Sequence, residues 1–255
     1  MLNVYLIRNL EKRLVWSVTG KIAYNKNVIL KLSDALKEDT RKALSENIEL
    51  GTLLFEGDPT NAIYAVRSLG IDPSTGKELY LTKDGEITET WKSSDRVFLG
   101  SYDPKYRGNI SSLFQWGGLS INLAFGYHFG GYQYNSTLLS KVEINKNMIS
   151  AGNVDKRVYE DRWQKPGDVK FFKKIDDKST KATSRFVMKE SVFELQNVSL
   201  QYTFDGPKFK EKTKMQALLI GLNMSEILYL STIRLERGTG YPYARHAALS
   251  LSVTF

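Results

Sequence analysis

The chain contains no cysteine and only two histidines, His128 and His246, among its 255 residues. The first absence removes disulfides, cysteine-ligated zinc and thiol chemistry together, and the second leaves too few imidazoles for most metal sites, so no cofactor is expected. No apolar run reaches the roughly 18 residues that a transmembrane helix requires. The opening MLNVYLIRNLEKRLVW lacks the apolar core and small-residue cleavage site of a secretory signal. A helical membrane protein is thereby excluded. A membrane β-barrel is not, because its strands alternate lipid-facing and lumen-facing residues and leave a weak hydropathy signal, in keeping with a mean hydropathy of −0.33.

What is present is apolar residues at 42%, aromatics at 12% and a net charge of +8. The apolar and aromatic content excludes wholesale disorder. The lysines are spread over stretches such as KFKEKTK and KFFKKIDDKSTK with acids among them, which reads as solvated loop surface, so no nucleic-acid partner is expected. Alternation of period two is the dominant pattern. Trp16, Val18, Gly20, Ile22 and Tyr24 face one side of a strand, and Ser17, Thr19, Lys21 and Ala23 the other. The same holds for Ile121, Leu123, Phe125, Tyr127 and Phe129 within Ser120 to Gly130, for Val198, Leu200, Tyr202 and Phe204, and for Ala247, Leu249, Leu251, Val253 and Phe255. Two less regular segments, Gly108 to Trp116 and Ala217 to Tyr229, also read as strands, making about six. A tight hairpin is expected at Gly117 and Gly118. Gly131 to Glu190, by contrast, is a long polar stretch of the kind that normally carries function. Asn25 to Gly108 reads as loop, apart from a short helix near Ser33 to Ser45 with Ser33 or Asp34 as cap and Glu38 placed to pair with Lys42. No second domain boundary and no repeat beyond the alternation stand out.

Motifs that invite chemistry fail on spacing. GIDPSTGKE places five residues between Gly70 and Gly76 where a phosphate loop needs four, and Glu78 replaces its magnesium-binding hydroxyl. KDGEITETWKSSDR carries Asp84, Glu86, Glu89 and Asp95 without the ligand register of a calcium loop. Asp161 and Asp168 flank Trp163, but nothing fixes the separation that glycoside chemistry needs. Tyr159, Trp163, Phe171 and Phe172 read as the packing of a long loop, with ligand stacking by Tyr159 and Trp163 as a second role. His128 falls on the small polar face of its strand, toward the lumen of a barrel. No catalytic or metal residue is assigned, and an enzyme is not expected.

Several segments in order resemble the C-terminal part of the SusC/RagA family of TonB-linked outer-membrane transporters. They are WSVTGKIAYNKN (Trp16 to Asn27), AIYAVRSLGIDPSTGKELYLTKDG (Ala62 to Gly85), VFLGSYDPKYRGNISSLFQW (Val97 to Trp116), RWQKPGD (Arg162 to Asp168), FELQNVSLQYTF (Phe193 to Phe204) and the stretch from Tyr241 to Phe255. The resemblance implies an all-β fold: an antiparallel transmembrane barrel segment with long extracellular loops, residues 1–255 forming the C-terminal part of a 22-stranded barrel in the cell outer membrane. It implies import of oligosaccharides or peptides beneath a SusD-like surface lipoprotein, energised by the TonB complex through an N-terminal plug. Signal peptide, TonB box and plug have no counterpart here, so the expectation is a fragment, inactive alone. About six strands also fall short of the roughly eight that a closed barrel requires. In proteins of this kind the alternating terminal strand, here Leu249, Leu251, Val253 and Phe255, faces membrane lipid and is read by the barrel-assembly machinery. The competing expectation is a soluble β-sandwich carbohydrate-binding module, with the same alternation facing a core.

Overall fold

The computed structural model describes residues 2–9, 14–46, 53–150, 152–233 and 245–255, so residues 241–244 of the terminal stretch lie outside the described residues. The strands are β1 (Leu2–Asn9), β2 (Leu14–Tyr24), β3 (Ala62–Ile71), β4 (Glu78–Leu81), β5 (Ile87–Thr88), β6 (Arg96–Ser101), β7 (Tyr106–Trp116), β8 (Leu119–Tyr134), β9 (Val187–Phe204), β10 (Ala217–Ser231) and β11 (His246–Thr254). The helices are α1 (Asp34–Ser45), α2 (Ser136–Lys141), α3 (Lys146–Ser150), α4 (Arg157–Glu160) and α5 (Pro207–Thr213). Seven strands form one antiparallel sheet in the order β1-β2-β7-β8-β9-β10-β11, and four form a second in the order β5-β4-β3-β6.

The large sheet is a wall with two unlike faces, and the strand register shows why. Paired residues of antiparallel strands share a face, so the pairings can be followed across the wall. One row reads Ile7, Trp16, Phe114, Ile121, Leu200, Leu222, Leu249. The adjacent residues on the other face read Ser17, Leu113, Asn122, Ser199, Asn223, Ala248. Further rows repeat the contrast, with Ile110, Phe125, Leu195 and Leu228 on the apolar face and Thr19, Ser111, Ala124, Asn197 and Ser225 on the polar one. The apolar face is bounded by aromatics at both ends. Tyr24, Tyr106 and Phe129 line up at one end, with ring centroids 5.2 and 5.0 Å apart, and Trp116, Tyr202 and Phe204 lie at the other. From Tyr106 to Trp116 a strand rising about 3.4 Å per residue covers about 34 Å, or about 26 Å along the axis of a barrel tilted near 40°. That matches the apolar band of about 25 Å that outer-membrane barrels present to lipid.

No described element covers the apolar face: Ile22 is 65%, Trp116 61% and Leu249 78% exposed. A sandwich needs a second sheet packed against that surface. The short sheet does not supply it, because its buried residues pack elsewhere. Val66 of β3, Tyr80 of β4 and Trp91 form one core cluster, and Leu138, Val142, Phe172 and Phe186 form another, both built from the long connections. Those connections, residues 25–105 and 135–186, leave from the same end of the wall, the end at which β10 stops and β11 starts. The turn at Gly117 and Gly118, the β9 to β10 connection and the end of β11 lie at the opposite end.

The structure amends three expectations. β1 adds a seventh wall strand to the six read from sequence. Asn25 to Gly108 holds β3 to β6 within its loops, four strands that the loop reading did not anticipate. Glu38 pairs with Arg41 at 2.6 Å, one residue closer than Lys42, while Ser33 caps α1 as expected by accepting from the Leu36 N–H.

Candidate functional site

Two long connections fold together into a platform at one end of the wall. The turn that follows β3 is an Asp-initiated loop. Asp72 accepts from the backbone and hydroxyl of Ser74 and from Thr75, holding its carboxyl below the usual range, and Gly76 closes the turn at φ +71°. A Cβ at Gly76 would lie 2.5 Å from the ring of Trp163, so the absence of a side chain lets the second connection dock on the first. Trp163 Nε1 donates to the Pro73 carbonyl (2.9 Å), and the Lys174 N–H to Gly76 (2.9 Å). Nearer the wall, Trp91 Nε1 donates to the Ala182 carbonyl (2.9 Å) and the Ser68 N–H to Ser184 Oγ (2.9 Å).

Arg185, just before β9, clamps the platform. Its Nε and Nη2 donate to the two carboxylate oxygens of Glu78 (2.8 and 2.7 Å), and Nη2 and Nη1 to those of Glu143 (2.5 and 2.9 Å). Nη1 also reaches the Phe171 carbonyl (2.6 Å). Both carboxylates are buried. Burial works against the guanidinium charge, but hydrogen bonds from Glu143 and Glu78 outweigh it and hold the Arg185 pKa above its ordinary value. Arg162, also buried, donates to the carbonyls of Ile144 and Val142 (both 2.9 Å), and desolvation lowers its pKa.

Under this platform the polar face of the wall forms a cleft of about 670 Å³ lined by Lys21, Arg107, His128, Glu190, Glu194 and Gln196. Gly126 makes room for it: a Cβ there would lie 2.4 Å from Gln196 Nε2 and 2.8 Å from Glu194 Oε1. Gln196 Nε2 donates to Glu194 (2.6 Å), and His128 Nε2 faces Glu190 Oε2 at 3.5 Å. On the opposite face Tyr127 lies over Gly108 and donates its hydroxyl to the Lys21 carbonyl (3.0 Å), pinning the strands that carry Lys21 and Arg107. Charges of both signs beside amide and ring groups suit an extended polar ligand with donors and acceptors along its length. A second cavity of about 550 Å³, at the junction of wall and platform, is lined by Tyr24, Lys26, Phe98, Lys105 and Tyr132 among others.

The residues named from sequence are placed as follows. Trp163 is committed to the Pro73 turn, whereas Tyr159, on α4, is 75% exposed. Asp168 accepts from the Gln164 and Lys165 N–H groups, a turn role that lowers its pKa. Leu249, Leu251 and Val253 pair with Leu222, Ile220 and Leu218 on the apolar face, and Phe255 is 79% exposed beyond them. His128 faces the polar side as its strand position predicts. Sequence reasoning missed Arg185, Glu78 and Glu143; Arg185 and Glu78 lie 107 positions apart, with no local signal linking them.

No protein-family model and no curated protein matches the sequence. Solved structures do. The chain superposes over 91% of its length on the RagAB peptide transporter (TM-score 0.71, 19% identity). It superposes over 99% on the RagAB peptide importer in its open-open state (TM-score 0.73, 18%) and its closed-closed state (TM-score 0.77, 19%). The likeness establishes the fold: an antiparallel, all-β architecture shared with part of those chains. The chain spans 25 to 28% of the length of those chains.

Proposed function

We propose that the chain is the C-terminal barrel portion of an outer-membrane importer of the SusC/RagA type, taking up peptides or oligosaccharides. The observation that carries this reading is the two-faced wall, whose uncovered apolar face is bounded by aromatics and whose opposite face is mainly polar or small. The apolar face meets lipid, the polar face lines the lumen, and the platform faces outward, where long loops belong in such barrels. Ligand is held by the cleft under the platform, with Tyr159 as a loop contact, and no covalent step is involved. A SusD-like lipoprotein closes over the platform, and the TonB complex drives passage through a plug carried outside residues 1–255. Leu249, Leu251, Val253 and Phe255 serve lipid contact and recognition by the assembly machinery. The superposition on peptide importers supports the transport reading. Fractionation of cell envelopes tests it. The product is expected in the detergent-extracted outer membrane; recovery as a soluble monomer without detergent overturns the reading in favour of a carbohydrate-binding sandwich.

A further inference from the structure

At the short-turn end of the wall, β7 and β8 join through Gly117 and Gly118, but β9 and β10 are joined by the helix α5 (PKFKEKT). Turns at that end of a barrel are normally short, so the excursion calls for a physical reason. Lys208, Lys210, Lys212 and Lys214 all lie in or just after α5, are exposed and form no ion pair among the described residues; Asp205 and Glu211 are the nearby acids. The helix is not loose. Pro207 opens it, Lys214 closes it in a left-handed cap, and the Phe209 ring lies 5.9 Å from Phe204. Phe204 in turn packs edge-on against Tyr202 (4.6 Å) in the aromatic end row of the apolar face. The contact holds α5 against the apolar side of the wall, level with the membrane interface.

We infer that α5 is an interfacial foot that binds the anionic phospholipid headgroups of the leaflet at the short-turn end. Phe209 enters the headgroup boundary beside the aromatic row, and the lysines meet the phosphates. A basic segment with one apolar anchor next to a membrane surface gains both contacts, and each lysine near an anionic surface strengthens binding severalfold. This rests on the membrane reading above.

The absence of cysteine allows a single reporter, bimane attached at Gln216→Cys, an exposed position two residues past the cap. The full chain is placed in phosphatidylcholine bilayers containing phosphatidylglycerol, and quenching is compared between brominated forms of the two lipids. The expected result is a preference for phosphatidylglycerol of about fivefold or more. It should fall toward unity at high salt, and also when Lys208, Lys210, Lys212 and Lys214 are all replaced by Gln. Equal quenching by both lipids overturns the inference, as does a preference that survives the four replacements. If neither lipid quenches, α5 does not reach the bilayer and the inference is overturned, while the envelope fractionation above decides the membrane reading separately.

Discussion

Replacing Arg185 by Met should loosen the platform while leaving the wall intact. The substitution removes five hydrogen bonds and leaves Glu78 and Glu143 buried without the guanidinium that bridges them. Thr180 Oγ1 still donates to Glu143 (2.9 Å) and the Tyr80 hydroxyl to Glu78 (3.3 Å), but two neutral hydroxyls do not compensate for a lost guanidinium. Removing one partner of a buried charge pair costs about 3–5 kcal/mol, which corresponds to amide exchange about 150-fold to several thousand-fold faster where platform opening limits it. Hydrogen exchange at Asn135, whose N–H donates to the Phe186 carbonyl (2.8 Å), and at Val142 reads the opening; amides paired between β7 and β8 are the internal reference. The combined Glu78→Gln, Glu143→Gln, Arg185→Met variant should recover part of the protection, because the two buried carboxylates are neutralised, while Arg162 and Lys173 lose the carboxylates near them. Unchanged exchange in the single variant would refute the clamp. Equal loss in the triple variant would show that stranded carboxylates are not the main cost of losing Arg185, which also packs near the rings of Phe186 (4.8 Å) and Phe171 (5.4 Å).

Gly108→Ala should destabilise the wall by about 1–3 kcal/mol, since the added Cβ would lie 2.0 Å from the Lys21 carbonyl and displace the Tyr127 hydroxyl; urea unfolding followed by tryptophan fluorescence checks it. Gly76→Ala should loosen the platform, because a Cβ would overlap the Trp163 ring at a backbone angle that favours glycine, and limited proteolysis between residues 135 and 186 reports it. Tyr64 and Tyr80 have pKa values raised by burial, with Asp58 and Glu78 adding to the effect. Their stabilisation is therefore complete below the unfolded phenol pKa of about 10 and is lost as pH rises toward the folded value. Alkaline titration at 295 nm should show these phenols ionising only as the platform opens. Tyr159→Ala should leave stability within about 0.5 kcal/mol while weakening ligand uptake, and unchanged uptake removes Tyr159 from the ligand surface.

The wall was legible in the sequence wherever alternation runs unbroken, as in Ile121 to Phe129 and Leu249 to Phe255, because period-two patterning follows directly from a sheet with two unlike faces. It was obscured where a bulge shifts the phase. β1 carries Leu2 and Val4 on the apolar face, then changes register between Tyr5 and Ile7, so LNVYLIRN shows no clean alternation. β9 does the same at Gln196, with Val198 and Leu200 on one side of the shift and Leu195 and Phe193 on the other, which hid its first half. The platform was not legible, since Arg185, Glu78 and Glu143 come from distant segments and only their common burial makes them a unit. Trp163 drew attention as an aromatic in a polar loop, but the signal could not distinguish a surface for ligand from a wedge against Gly76.

The two-faced wall is tested most directly on β10, where Leu222 belongs to the apolar row and Asn223 to the polar one. With no native cysteine, Leu222→Cys and Asn223→Cys can be exposed separately to a membrane-impermeant maleimide in intact outer membranes. The account predicts labelling at Asn223→Cys and protection at Leu222→Cys, with the protection lost once the membrane is dissolved. Labelling at Leu222→Cys in the intact membrane, or protection at both positions, would contradict it.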